Sequence, residues 1–111
     1  MDGQVKAQIN LALAICAHDG LISDSEVSLL KSHFCGLGKI TESELNDLVD
    51  EFFEHDDSLE QLFTAVDDTD YALRISAEAA SADGLDIREN FALERCYRFN
   101  AEKIAKGKAN A

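Results

Sequence analysis

The residues of this chain best suited to chemistry are carboxylates grouped around an Asp-Gly pair, and the grouping occurs twice. The first copy reads Ala17-His18-Asp19-Gly20-Leu21-Ile22-Ser23-Asp24-Ser25-Glu26, and the second Ser81-Ala82-Asp83-Gly84-Leu85-Asp86-Ile87-Arg88-Glu89. Carboxylate oxygens are the donors that hard divalent cations prefer. The first copy also matches the second half of an EF-hand loop, with Asp-Gly, an aliphatic residue and a closing Glu in register. The first half of such a loop is missing. Its two leading ligand positions fall on Ile15 and Ala17, and in the second copy on Ala79 and Ser81, with Asn90 in the closing place. A cation that takes roughly six to eight oxygens is not caged by either loop alone.

Two readings stay open for these motifs. In one, Gly20 and Gly84 supply left-handed backbone at helix C-termini and the Asp side chains bond local amides, so the motifs only punctuate the fold. In the other, the two copies pack together and bring Asp19, Glu26, Asp83 and Glu89 into one carboxylate cluster for a divalent cation, Ca2+, Mg2+ or Zn2+. Clustered carboxylates repel unless a cation, an Arg or a proton intervenes, so the second reading predicts metal-dependent stability. Glu78 is a further ligand under that reading, or part of a solvated helix face.

Charge is distributed unevenly. The formal net charge is −12, from 22 acids against 10 bases. Residues 42–70 carry Glu42, Glu44, Asp47, Asp50, Glu51, Glu54, Asp56, Asp57, Glu60, Asp67, Asp68 and Asp70 with no Lys or Arg. Arg88, Arg95, Arg98, Lys103, Lys106 and Lys108 make the end of the chain basic. Binding to nucleic-acid phosphates is disfavoured. Asp47, Asp50, Glu51 and Glu54 stack like charges at helical spacing, each pair costing a helix roughly 0.2–0.5 kcal/mol. They form either a plain solvated face or a surface for a basic protein partner or a diffuse shell of divalent ions, whose binding would depend on salt. Mimicry of DNA is conceivable but does not follow from acidic helices alone.

Little else in the chain suggests chemistry. His18, His33 and His55 are too dispersed for a metal-binding pattern and are expected at or near the surface, with His18 set apart by its place beside Asp19. Cys16, Cys35 and Cys96 are an odd number without a close pair, which argues against a disulfide framework or zinc knuckle and for small core residues in a reducing cytoplasm. No nucleophile elbow, phosphate-binding glycine loop or Cys-His pairing is present, so no enzyme is expected. No apolar run is long enough to cross a bilayer and no leader pattern is seen, so a soluble, unprocessed, cytoplasmic protein is expected, with no membrane insertion.

The elements that must position these residues are helices. With 111 residues, 46% hydrophobic content and no Pro, the sequence predicts one all-α domain over 1–111, a single bundle of about six helices in two pseudo-symmetric halves. Its core spans about 4–104 and its tail, 106–111, is expected to fray. Val5, Ile9, Ala12, Leu13 and Cys16 share one face of a first helix from roughly residue 3 to 18. Val27, Leu30 and Phe34 mark a second, which Gly36 and Gly38 end. Leu45, Leu48, Val49, Phe52 and Phe53 mark a third. Leu59, Leu62, Phe63 and Val66 mark a short fourth, and Ala72, Ile75, Ala79 and Ala82 a fifth. Phe91, Arg95, Cys96, Phe99 and Ile104 line a long sixth. Capping boxes predict four helix starts: Ser23 with Glu26, Thr41 with Glu44, Ser58 with Gln61, and Asp86 with Glu89. The second Asp-Gly loop is one residue shorter than the first, yet the cap that follows is kept.

The paired Asp-Gly-Leu…Glu signatures, about 64 residues apart in a helical chain of this size, resemble the TerB-like domain family of tellurite-resistance proteins. That family is also similar to the N-terminal region of the membrane-anchored co-chaperone DjlA. The likeness covers roughly residues 4 to 104. It implies a bundle of two related helical halves, an acidic site suspected of holding metal, and a role in bacterial stress response without catalysis. By position, the family's motif acids fall on Asp19 and Glu26 in the first half and on Asp83 and Glu89 in the second. The shortened second loop departs from the family's spacing and puts Asn90 where a Glu often stands. No His-Pro-Asp tripeptide occurs, so the chain carries no J-domain. The resulting expectation is a small non-enzymatic protein that binds a divalent cation in a stress response. The alternative is an acidic adaptor that uses the 42–70 surface and has no specific metal site.

Overall fold

A computed structural model of the chain describes residues 3–17, 22–54, 58–82 and 87–109, and the side chains of 87–89 and 104–109 lie outside that description. Six α-helices and no strand occur among the described residues. In order they are α1 (Gly3–Cys16), α2 (Asp24–Leu30), α3 (Glu42–Phe52), α4 (Leu59–Thr64), α5 (Thr69–Ala80) and α6 (Ile87–Ala109), with a π-helical turn, Lys31–Cys35, running on directly from α2.

The helix starts follow the predicted chemistry. At Ser23, Thr41 and Ser58 the side-chain oxygen accepts from the backbone N–H three residues on, and Glu26, Glu44 and Gln61 accept in return from the cap's own N–H. Each reciprocal pair satisfies two of the donors that a helix start leaves open. The fourth predicted box, Asp86 with Glu89, lies outside the described residues. An unpredicted cap, Asp68, opens α5 by accepting from the Tyr71 N–H.

The expected break at Gly36 and Gly38 has a definite geometry. Gly38 has φ +71°, in the left-handed region. Its N–H donates to the Cys35 carbonyl at 3.0 Å, and the Lys39 N–H donates to the Phe34 carbonyl at 3.1 Å. This is the Schellman closure of a helix end, in which glycine removes the steric cost of left-handed backbone. A Cβ on Gly36 would collide with the Ser32 carbonyl, so the tight wall of the π-turn also requires glycine there.

The core forms around α1. Val5, Ile9, Ala12, Leu13 and Cys16 are buried as the spacing predicts, but Leu11 and Ile15, on other sides of the same helix, are equally buried. Helices α3, α4, α5 and α6 all contact α1, and an apolar surface on several sides suits a helix enclosed by others. The two halves interlock: α5 lies against α1 and α2, and α1 touches α6. Polar side chains fix the register. Gln4 donates to the Ala65 carbonyl and accepts from the Asp67 N–H, tying the start of α1 to the α4–α5 connection. Thr69 donates to Asn100, which donates to Asp70, joining α5 to α6.

Two predicted faces are corrected. Phe53 was expected to continue the apolar stripe of α3, yet it is 59% exposed, because α3 ends at Phe52 and Phe53 is its C-cap. On α6 the buried residues are Ala92, Leu93 and Cys96, whereas Phe91 and Arg95 are exposed, so the helix is rotated from the expected face. Ala82 is also exposed, just beyond the end of α5. Helix α6 continues to Ala109, past the point where fraying was expected.

Candidate functional site

Of the four predicted metal-site acids, only Glu26 has a described side chain. Asp19 and Asp83 lie outside the described residues. Glu89 falls in the first turn of α6, but its side chain is outside them too.

Glu26 itself is distinctive. It is 3% exposed, the only buried acid among the described residues. Its Oε1 accepts from the Ser23 N–H at 2.8 Å, while Oε2 is buried with no hydrogen-bond partner. A buried carboxylate oxygen without a donor loses its hydration and gains nothing in exchange, a cost that a proton or a cation relieves. The helix N-terminus and the capping N–H offset part of that cost at Oε1. The residue sits three positions into α2, just after the first Asp-Gly loop. Among the described residues no group of three or more His, Cys, Asp or Glu side chains converges as a metal site. Any such site needs donors beyond them.

Of the second predicted surface, 42–70, all but residues 55–57 lie within the described residues. Asp47, Asp50, Glu51 and Glu54 are all exposed, and among the described residues their side chains make no hydrogen bond or ion pair. Beside them lies the exposed Phe53 ring, edge-on to the half-buried Phe52 at 5.4 Å between centroids. Charge repulsion along α3 is thus left uncompensated within the fold, next to an aromatic side chain that water surrounds.

A third cluster was missed from the sequence. His33, on the π-turn, shares a hydrogen bond between Nε2 and the Tyr71 hydroxyl of α5. The Lys39 ammonium lies 5.3 Å and the Arg74 guanidinium 5.6 Å from the centroid of the Tyr71 ring. Burial holds the His33 imidazole below its ordinary proton affinity, with Lys39 and Arg74 pushing the same way and Glu78 opposing them. The spacing of Tyr71, Arg74 and Glu78 along α5 was a usable signal, but the long-range approach of His33 and Lys39 was not. His18 and His55 lie outside the described residues.

The cysteines follow expectation in part. Cys16 and Cys96 are fully buried and Cys35 is half-buried, and none of the three is in a disulfide among the described residues. Burial pushes the Cys96 thiol up to about 11, with Arg95 pulling weakly the other way.

Comparison with protein-family models, curated proteins and solved structures gives no match. The likeness to TerB-like domains therefore rests on the Asp-Gly motifs. No helix among the described residues is long and apolar enough to cross a membrane.

Proposed function

We propose that this chain is a non-enzymatic, TerB-like module that binds a divalent cation through Glu26 and the flanking Asp-Gly loops, as part of a bacterial stress response of the tellurite-resistance type. The observation that carries this reading is the buried, unpartnered Oε2 of Glu26. An oxygen donor held rigid by its own capping bond is preorganised for a hard cation. Asp19, Asp83 and Glu89 are the proposed companions. The interlocking of α1 and α5 supports a shared site, since these are the helices that lead into the two Asp-Gly loops. The cation supplies charge compensation and joins the two halves; no reaction is routed through it.

The test is thermal unfolding with Ca2+, Mg2+ or Zn2+. A cation at about 100 times its Kd stabilises a fold by about 2.7 kcal/mol. That gain is expected in the wild-type protein and lost in Glu26→Gln, which keeps the size of the side chain. An equal gain in both proteins would contradict the site.

A second reading is favoured by the uncompensated α3 face with its exposed Phe53: an adaptor for a basic protein partner. Its signature is salt-sensitive binding of a lysine-rich peptide, weakened by Asp50→Lys with Glu54→Lys and indifferent to Glu26→Gln. Binding that survives the double reversal would remove this reading.

A further inference from the structure

The two carboxylate oxygens of Glu26 are not equivalent. Oε1 accepts from the Ser23 N–H at 2.8 Å, closing a capping box whose other half is the Glu26 N–H donating to the Ser23 Oγ at 3.2 Å. Oε2 is buried without a partner among the described residues. The carboxylate therefore offers an ion one oxygen while the cap holds. Turning both oxygens to the same ion would strip the Ser23 N–H of its acceptor, in a part-buried setting where water replaces it poorly.

Divalent ions differ in how they use such a ligand. Ca2+ takes roughly six to eight oxygens, and an EF-hand helps fill that shell by gripping the ion with both oxygens of its closing Glu. Glu26 stands in that closing place, while the first two ligand positions of the loop hold Ile15 and Ala17, whose side chains carry no oxygen. Mg2+ is smaller, demands an octahedron, and keeps several of its own waters beside one or two carboxylates. Zn2+ favours nitrogen and sulfur, which the motif acids Asp19, Glu26, Asp83 and Glu89 do not supply.

We propose that Glu26 is a one-oxygen ligand, fixed as such by its capping box, and that this selects Mg2+ over Ca2+. The proposal rests on the cation reading above and names the ion. Oε2 meets the ion while Oε1 stays on the Ser23 N–H, so α2 keeps its start when the site fills. An ion that retains its own water needs fewer donors from the loop, so half a loop serves Mg2+ where it does not serve Ca2+.

The backbone N–H of Ser23 is the lock, and proline removes it. Ser23 has φ −79° and ψ 159°, which proline also adopts, so Ser23→Pro is compatible with the helix start. Ser23→Ala loses the same hydroxyl but keeps the N–H, and serves as the matched control. Amide-resolved NMR titrations of the full chain with MgCl2 and, separately, CaCl2 at constant ionic strength give a Kd for each ion. Wild-type protein and Ser23→Ala are expected to bind Mg2+ more tightly than Ca2+. In Ser23→Pro, Oε1 is released, and the preference is expected to move toward Ca2+ by about tenfold. Tighter binding of Ca2+ than of Mg2+ by the wild type would overturn the proposal and leave the cation reading standing. So would a ratio of the two affinities that is the same in Ser23→Pro and Ser23→Ala. Saturation by neither ion would overturn both. The wild-type comparison needs no variant, so it decides the question even if Ser23→Pro fails to fold.

Discussion

Helices α1 and α5 each precede an Asp-Gly pair in the sequence, yet they are used differently. Helix α1 is buried on several sides, with Ile9, Leu11, Leu13 and Ile15 all inaccessible. Helix α5 buries Ala72, Ile75, Ala79 and Ala80 but shows water a face bearing Arg74 and Glu78, with Tyr71 half-buried at its edge. A helix buried on several sides has little surface left for ligands, whereas one with a broad free face can carry them. Of these two helices, one builds the core and the other displays side chains.

The sharpest way to break that comparison is Leu11→Ala. A one-sided α1 would leave Leu11 near solvent and make the change mild. Enclosure on several sides predicts a loss of about 2–5 kcal/mol in denaturant-induced unfolding. Next in size is Ser23→Ala, which removes the cap that orders Glu26 and is expected to cost about 1 kcal/mol in the same measurement. On α5, Arg74→Ala should change stability by less than about 0.5 kcal/mol, because an exposed side chain stacked on a ring carries little of the fold. A large loss there would give α5 a structural duty like that of α1.

The π-turn facing α5 adds a dependence on pH. Folded His33 takes up its proton below the ordinary 6.5, because burial, Lys39 and Arg74 outweigh Glu78. As pH falls through 6.5, the unfolded chain therefore binds this proton first, and stability declines until the folded pKa is passed. Stability thus rises with pH across that window. Wild-type protein should lose more stability than His33→Gln between neutral and mildly acidic pH; an identical decline in both would show that the imidazole is not held neutral. Thiol labelling gives the finest contrast. Cys35 at the end of the π-turn should react first, with Cys16 at the end of α1 and Cys96 on α6 protected until unfolding.

Much of this architecture was legible in the sequence because its signals are local. Three capping boxes stand where Ser23, Thr41 and Ser58 announced them, since each needs only a side chain and an amide three residues away. Gly36 and Gly38 were readable as a break for the same reason. The burial of Leu11, the exposure of Phe53 and the rotation of α6 were not, because they depend on which helices surround a given face. The candidate sites divide along the same line. The acids of α3 were found by counting charges, and Glu26 by its motif. The orphaned oxygen of Glu26 and the meeting of His33, Lys39, Tyr71 and Arg74 arise only when distant segments pack.

The most direct test of the cation reading is an amide-resolved NMR titration of the full chain with Ca2+, Mg2+ and Zn2+ at near-physiological salt, repeated on Glu26→Gln. Saturable shifts centred on 19–26 and 83–89 are expected in the wild-type protein and none there in the variant. Silence at both loops, or only a linear drift across 42–70, would contradict it and leave the α3 adaptor as the better description.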